Sequence, residues 1–286
     1  MAVRHGWICD FGRNLGWNHG FGFAIEREIS MEVYEFGKEN ERKIVLIPGN
    51  MMCWKQFEPV IPILAKDFHV IAVSTDGYDG TTTFTTAASS AKKLAEYIKT
   101  NLAGHIHLIF GESFGCATAF HLFQDATVQV DAMIVSGPQY MSFGPLNGFL
   151  QSYIPKNQFN LIKKVQAAQE TKKLPWMLKL FTRTDDEKLL CQFRALAPNI
   201  SLETLKNCTA EAFRLYGELE TQEPDLNAKV AIWYGSKEPN MEKAVEKITR
   251  AYPSAEDHPF AGFGHGEIMT HQELLAREIQ HFLKET

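Results

Sequence analysis

The sequence predicts an α/β protein with a mostly parallel sheet and helices on both faces. Short apolar runs rich in β-branched residues alternate with longer segments in which apolar residues recur at helical spacing. The short runs are apolar throughout, as strands buried on both faces must be, and turn residues follow them. A chain of 286 residues with 45% hydrophobic content can bury such a sheet in a sizeable core.

Strands and helices are predicted in alternating order. The strands are expected at 44–47, 70–73, 106–110, 132–135, 230–234 and near 256–260. The helices are expected at 56–66, 87–102, 116–123, near 240–250, and over a closing segment whose apolar positions run from Ile268 to Phe282. Strands linked by helices in this way favour a parallel sheet.

Two segments depart from this alternation. Residues 1–29 alternate glycine with aromatic residues and are predicted to be an N-terminal extension, with no role indicated by the sequence. Residues 140–226 contain no strand-like run. Several helices are predicted there, around 156–170, 186–195 and 201–218, with breaks at Pro155, Pro175 and Pro198. Because the strand pattern then resumes, we expect residues 30–139 and 227–286 to form one α/β core and residues 140–226 to be a helical cap.

Composition and charge exclude several classes of partner. A formal net charge of −5 leaves no basic surplus for nucleic acid. No apolar run approaches the roughly 18 residues needed to cross a bilayer, and no secretory signal is predicted. The five cysteines are scattered without a C-x-x-C pair, which favours reduced thiols in a cytoplasmic protein.

The most informative motif is GESFG at residues 111–115, which follows a predicted strand and precedes a predicted helix. G-x-S-x-G in this context is typical of a nucleophile elbow, a sharp turn that presents a serine hydroxyl. Larger side chains in place of Gly111 and Gly115 would collide with neighbouring backbone. We therefore predict that Ser113 is a nucleophile, the alternative being an ordinary glycine-rich turn.

A serine nucleophile needs a histidine as general base. Among ten histidines, His265 is the best candidate, because flanking glycines in the loop before the closing helix let its imidazole project toward the strand ends. His258 is assigned to the last strand and His271 to the final helix. His105 and His107 lie on the strand that leads to the elbow. Structural roles are expected for these four histidines.

The base in turn needs a carboxylate that orients it. Glu238 follows the strand 230–234, at the edge of the sheet where open α/β sheets place their sites, so it is the predicted acid. Asp225 precedes the same strand and is expected at the opposite edge. The alternative for Glu238 is a surface residue beside Lys237.

Acyl transfer also creates an oxyanion, which two N–H donors must stabilise. Phe114, the residue after the nucleophile, is predicted to supply the first donor, aided by the positive end of the helix that begins there. The second donor is expected from the loop after strand 44–47, with Met51 preferred and Asn50 as the close alternative. The Gly-Asn pair in this loop could equally form only a tight turn.

With the elbow, the Gly-His-Gly loop and the position of the strand-free insertion, the sequence resembles the α/β-hydrolase superfamily from about residue 30 onward. The resemblance implies a mostly parallel eight-stranded sheet, with Ser113 as nucleophile, His265 as base and Glu238 as acid. The serine also distinguishes the chain from dehalogenases and epoxide hydrolases of this fold, which use an aspartate at the elbow.

The resulting hypothesis is a carboxylesterase-like serine hydrolase that cleaves a small or medium, apolar ester through an acyl-enzyme. The large apolar side chains of the cap are expected mainly to form its core, and any that face the pocket would favour an apolar substrate. They are Phe143, Phe149, Phe159, Trp176, Met177 and Phe181. Neither a cofactor nor a metal is expected, since no His/Cys/Asp cluster has ligand spacing.

Two alternatives to an esterase stay open. The same three residues could hydrolyse a carbon–carbon bond in a diketone, or the chain could be a non-catalytic ligand-binding member of the fold. Dinucleotide binding is disfavoured, because the loop after the first core strand has a single glycine instead of a G-x-G-x-x-G run.

Overall fold

The computed structural model describes residues 31–78, 82–138, 141–167 and 200–284. The predicted extension at 1–29 and the helix expected at 186–195 lie outside these ranges. So do several of the cap residues singled out in the sequence, namely Trp176, Met177, Phe181, Pro175 and Pro198.

A seven-stranded sheet forms the centre of the described residues, in the order β1-β3-β2-β5-β7-β8-β9. Its strands are β1 (Glu32–Phe36), β2 (Lys43–Ile47), β3 (His69–Ser74), β5 (Leu108–Glu112), β7 (Ala132–Ser136), β8 (Lys229–Gly235) and β9 (Glu256–Phe260). Only β1 runs antiparallel to its neighbour. Two short strands, β4 (His105–Ile106) and β6 (Gln129–Val130), form a separate parallel pair. The predicted fold class is confirmed, with seven of the eight implied strands in the described part.

Seven α-helices belong to the described residues. They are α1 (Ile61–Leu64), α2 (Ala87–Asn101), α3 (Gly115–Phe123), α4 (Asn147–Ala167), α5 (Leu202–Glu220), α6 (Met241–Ala251) and α7 (Gln272–Lys284). No helix among them is both long enough and apolar enough to cross a bilayer.

The sheet has an apolar cluster on each face, because consecutive inner positions of its central strands are apolar. In β2, Val45 and Ile47 pack with α2, α3 and α6 on one face, and Ile44 and Leu46 pack with α1 and α7 on the other. All four side chains are 0% exposed. Strands buried on both faces leave their C-terminal ends as the accessible edge for a site.

Two local predictions were incomplete or wrong. Strand β1 was not assigned, because its residues are exposed or half-buried and so lack a continuous apolar run. The helix expected at 56–66 is replaced by a 3₁₀ turn at Trp54–Phe57 and the single turn α1. Pro59 and Pro62 lack backbone N–H donors, which interrupts a continuous helical ladder.

Helices α4 and α5 lie within the predicted cap and pack against each other. The break predicted at Pro155 is wrong, because this buried residue lies inside the continuous helix α4. A proline removes only its own N–H donor, and packing can compensate for that loss. Helix α5 starts as expected, with the Ser201 hydroxyl accepting a hydrogen bond from Thr204 N–H at 3.0 Å. The division into a core and a cap stays a prediction.

Candidate active site

Ser113 lies directly after β5, at the edge of the sheet where the parallel strands end. Its φ of +50° falls in the left-handed region, which is rare and strained for a residue with a side chain. The Ser113 N–H donates to the carbonyl of Ser136 on β7 at 2.6 Å, and α3 begins two residues later at Gly115. The backbone therefore turns sharply at Ser113.

The two elbow glycines are required by close packing. A Cβ atom at Gly115 would lie 2.5 Å from the carbonyl oxygen of Ile47 and 2.6 Å from that of Pro48. A Cβ atom at Gly111 would lie 2.9 Å from the Cβ of Ala119. Separations this short do not occur, so α3 can pack against β2 and β5 only because both positions lack a side chain.

The residues selected as nucleophile, base and acid form one row of hydrogen-bonded side chains. His265 Nε2 lies 2.9 Å from Ser113 Oγ, and His265 Nδ1 lies 2.8 Å from Glu238 Oε2. The second oxygen of Glu238 accepts a hydrogen bond from Gly235 N–H at 2.7 Å, which fixes the carboxylate. Asp225, the acid rejected from the sequence, caps the turn before β8 instead.

The surroundings of His265 favour its protonated form. Burial opposes the positive charge, but the Glu238 carboxylate, which also hydrogen-bonds the ring, and the Glu112 carboxyl outweigh burial and raise the pKa of His265 above its ordinary value. A ring of this kind can take a proton from a hydroxyl at 2.9 Å and hold it beside a carboxylate.

Gly137, which sequence reasoning missed, borders the histidine ring. It follows β7 with a φ of +61°, and a Cβ atom there would lie 2.9 Å from His265 Cε1 and 3.4 Å from Glu238 Oε2. The glycine therefore leaves the space that the imidazole and its carboxylate occupy. The Ser136-Gly137-Pro138 turn at a strand end was the available sequence signal.

The competing histidines near the C-terminal end have other partners. His258 lies in β9, as predicted, with its ring 5.7 Å from that of Trp233. His271 precedes α7 rather than lying inside it, and its ring stacks on Phe263 with centroids 4.7 Å apart. These contacts are consistent with the structural roles expected for both residues.

The three predicted oxyanion residues differ in how their polar groups are engaged. Within the described residues, the N–H of Phe114 donates no hydrogen bond. Met51 has a left-handed φ of +64°, and its backbone partly offsets the effect of burial on the pKa of Tyr78. The Asn50 side-chain oxygen accepts from the same hydroxyl at 2.7 Å. The Phe114 N–H is therefore available as a donor among the described residues.

Tyr78 connects this loop to helix α5. Its hydroxyl lies 2.9 Å from Cys208 Sγ on α5 as well as bonding Asn50. Burial raises the pKa of Tyr78 well above its ordinary value, so the phenol stays neutral and keeps its proton. Sequence reasoning missed this pair, whose members are 130 positions apart.

Glu112, immediately before Ser113, is a second residue that the sequence did not single out. It is 1% exposed, and among the described residues its Oε2 atom has no hydrogen-bond partner. Burial raises the pKa of Glu112 to about 7, although nearby His265 and a hydrogen bond from Ser136 act against the rise. A carboxyl group at the end of an otherwise apolar strand was the signal for it.

We expect Glu112→Gln to remove a pH-dependent cost to stability. A carboxyl whose pKa rises from 4.5 to about 7 on folding destabilises the fold as the pH climbs through that window, by about 3 kcal/mol at higher pH. Urea unfolding should therefore show the variant gaining stability relative to the wild type between pH 4.5 and pH 8. The acidic limb of kcat/KM should also move to lower pH, because the carboxylate no longer favours a charged His265.

Glu39→Gln is the matched control, since Glu39 is an exposed glutamate on a surface turn. Glu39→Gln should change neither the pH dependence of stability nor that of kcat/KM. A stability difference between Glu112→Gln and the wild type that stays constant from pH 4.5 to 8 would contradict the raised pKa of Glu112.

The family of the chain follows from sequence comparison once this geometry is described. A model described as the alpha/beta hydrolase fold matches residues 43–272, which include Ser113, Glu238 and His265. The chain belongs to the alpha/beta hydrolase fold family.

Solved structures share this fold over most of their length. An alpha/beta hydrolase family protein from Desulfitobacterium hafniense is 19% identical, with a TM-score of 0.74, covering 88% of this chain and 100% of its own. An esterase from Exiguobacterium antarcticum is 17% identical, with a TM-score of 0.69, and the coverages are 89% and 95%. A carboxylesterase structure from Nitrososphaera gargenis is 16% identical, with a TM-score of 0.66, and the coverages are 90% and 96%. At these identities the likeness shows the fold alone.

Proposed function

We propose that the protein is a serine hydrolase that cleaves a small or medium, apolar carboxylic ester. Ser113 is the nucleophile, His265 the general base and Glu238 the acid that orients the base. The observation that carries the proposal is the row of hydrogen bonds from Glu238 through His265 to the Ser113 hydroxyl, at 2.8 and 2.9 Å. Esterases occur among the similar structures beside an epoxide hydrolase and a bromoperoxidase, so the choice of an ester is tested below with a substrate panel.

The proposed reaction proceeds through an acyl-enzyme. His265 Nε2 takes the proton of Ser113 Oγ as the oxygen attacks the ester carbonyl, and Glu238 stabilises the resulting imidazolium. The oxyanion binds the N–H groups of Phe114 and Met51 near the N-terminus of α3. His265 then passes its proton to the leaving alcohol. Water, deprotonated by the same ring, attacks the acyl group and releases the acid with Ser113 restored.

Apolar side chains at the residue after Ser113 and on the proposed cap support an apolar substrate. The ring of Phe114 packs edge-on against Phe84, with centroids 5.2 Å apart, so the residue after Ser113 presents an aromatic surface. On the first turns of the proposed cap, Leu146 and Phe149 are 59% and 63% exposed. An exposed apolar surface of this kind suits a lid that covers an apolar ligand.

Covalent labelling tests the proposal. A fluorophosphonate probe should modify the folded wild-type protein, and peptide mass spectrometry should locate the adduct on Ser113. Ser254→Ala, which removes an exposed serine far along the chain, should label as the wild type does. Absence of labelling in well-folded protein would contradict a serine hydrolase and favour a ligand-binding member of the fold.

A substrate panel then separates the ester from the carbon–carbon bond. We expect turnover of p-nitrophenyl esters, with kcat/KM rising from the acetate to longer acyl chains. A set of vinylogous diketones, assayed under the same conditions, tests the alternative of carbon–carbon bond hydrolysis. Turnover of the diketones without turnover of any ester would overturn the ester proposal while leaving the roles of Ser113 and His265 in place.

A further inference from the structure

Three side chains from two helices converge on one small space away from Ser113. His121 lies on α3, the helix that begins at the elbow, and Glu211 and Glu218 lie seven positions apart on α5. His121 Nε2 is 3.8 Å from Glu211 Oε1 and 3.4 Å from Glu218 Oε2. These three atoms all lie within 4.8 Å of one another.

Each of these three atoms is buried and lacks a hydrogen-bond partner among the described residues. Glu211 as a whole is only 3% exposed. Leaving three lone-pair or N–H groups unsatisfied in one place is costly, and native proteins rarely do it. The arrangement therefore points to an occupant that all three groups contact.

We propose that His121, Glu211 and Glu218 bind a Zn²⁺ ion that joins α3 to α5. A tetrahedral ion with bonds of about 2.0–2.2 Å holds neighbouring ligand atoms about 3.3–3.6 Å apart, close to the two separations from the imidazole. One nitrogen and two carboxylate oxygens form a ligand set that Zn²⁺ accepts, with water in the fourth position. The ion acts as a clamp between the helices and takes no part in the proposed ester chemistry.

Arg214 orients the carboxylates of Glu211 and Glu218 for metal binding. Its guanidinium bonds Glu211 Oε2 at 2.7 Å and Glu218 Oε1 at 2.9 Å, so the other oxygen of each carboxylate is turned toward His121. Partners of this kind commonly orient metal ligands from outside. Two carboxylates and one guanidinium leave one negative charge facing the imidazole, which favours a cation between them.

A proton on His121 is the alternative cation, and the geometry disfavours it. The single Nε2–H of an imidazolium can bond one carboxylate oxygen well, whereas here two oxygens lie at 3.4 and 3.8 Å. Ordinary charge-assisted N–H···O bonds are about 2.7–2.9 Å long. An ion in the middle contacts all three atoms without moving the helices.

A second group of possible ligands, formed by His105, His107 and Asp131, suits a metal less well. His105 Nε2 is already bonded to Asp131 at 2.8 Å. The Nδ1 atom of His107 accepts a hydrogen bond from the Lys43 N–H at 3.0 Å, so the other nitrogen of a neutral ring carries the proton. This group serves as the internal control.

Zinc titration of the metal-depleted full-length protein tests the site. Calorimetry at pH 7.5 should detect the binding of one Zn²⁺ ion per chain. The affinity for this ion should fall about 100-fold or more in His121→Gln and in Glu211→Gln. Saturating Zn²⁺ should raise the thermal midpoint of the wild type by about 5 °C and leave that of His121→Gln unchanged. Co²⁺ in place of Zn²⁺ should give the visible absorption of a tetrahedral site.

Two matched variants keep this test decisive. His107→Gln should bind zinc as the wild type does, and loss of binding in that variant alone would overturn the assignment. Glu218→Gln, at a partly exposed position, repeats the test if Glu211→Gln fails to fold. Equal zinc binding in the wild type and all three ligand variants, or no zinc-dependent rise in the wild-type midpoint, would overturn the proposal. Because binding is measured without substrate, failure here leaves the proposed hydrolase function untouched.

Discussion

Ser113→Ala is expected to abolish ester hydrolysis, with kcat falling by about 10⁴- to 10⁶-fold and substrate binding little changed. The variant removes the hydroxyl whose oxygen lies 2.9 Å from His265 Nε2. His265→Ala should cost about as much, because the hydroxyl then has no base. The double variant should be no worse than either single one, since the two residues act as a unit.

Glu238→Ala should lose less, about 10⁴-fold or below, because the carboxylate orients the base without touching the substrate. Steady-state kinetics on the best ester of the panel measures each loss, with thermal unfolding as the check on folding. His271→Ala is the matched control, a nearby histidine bonded to Thr270 and Glu267, and it should keep its activity. Retention of a tenth of wild-type kcat by Ser113→Ala would show that another group is the nucleophile.

Gly137→Ala should lower kcat by at least about 100-fold, the largest loss of activity expected outside the nucleophile, base and acid. The new Cβ atom would lie 2.9 Å from Cε1 and 3.0 Å from Nδ1 of His265, so the ring must move. A displacement of about 1 Å at a reacting group can cost about two orders of magnitude. A left-handed φ of +61° adds about 1–2 kcal/mol of destabilisation for a residue with a side chain.

Gly104→Ala separates these two effects. Gly104 also has a left-handed φ, of +74°, but no atom lies within 4 Å of the position of its missing side chain. Urea unfolding should find the two variants similarly destabilised, whereas ester turnover and the fluorophosphonate labelling rate should fall only in Gly137→Ala. Equal activities would mean that Gly137 does not position the histidine ring.

The elements predicted correctly are those with local causes. A central strand such as β5 is apolar from Leu108 to Phe110 because it is buried on both faces, and that pattern is visible in any window that contains it. Edge strand β1 shows no such pattern, because part of it faces solvent, and it was missed. The helix expected at 56–66 was also wrong, because Pro59 and Pro62 interrupt it although their apolar neighbours have helical spacing.

The residues of the candidate site also differ in whether a local sequence signal identifies them. Ser113, His265 and Glu238 could each be selected because each follows a strand in a loop of distinctive composition. Glu112 and Gly137 carried only weak signals, a carboxyl at a strand end and a glycine in a turn, because their importance depends on what packs against them. The same holds for the His121, Glu211 and Glu218 group, whose members have no ligand spacing in the chain.

The amino-acid sequence by itself determined the α/β pattern, the elbow and the residue types available for chemistry, since these depend on local periodicity and local steric demands. Only the tertiary structure decided that His265 reaches Ser113 across 152 positions and Glu238 across 27. Hydrogen bonds between residues so far apart in the chain depend on strand order and register, which place the C-terminal ends of distant strands side by side. The same packing buries Glu112 in a medium that disfavours its charge, because burial is a property of the assembled core and not of any one segment.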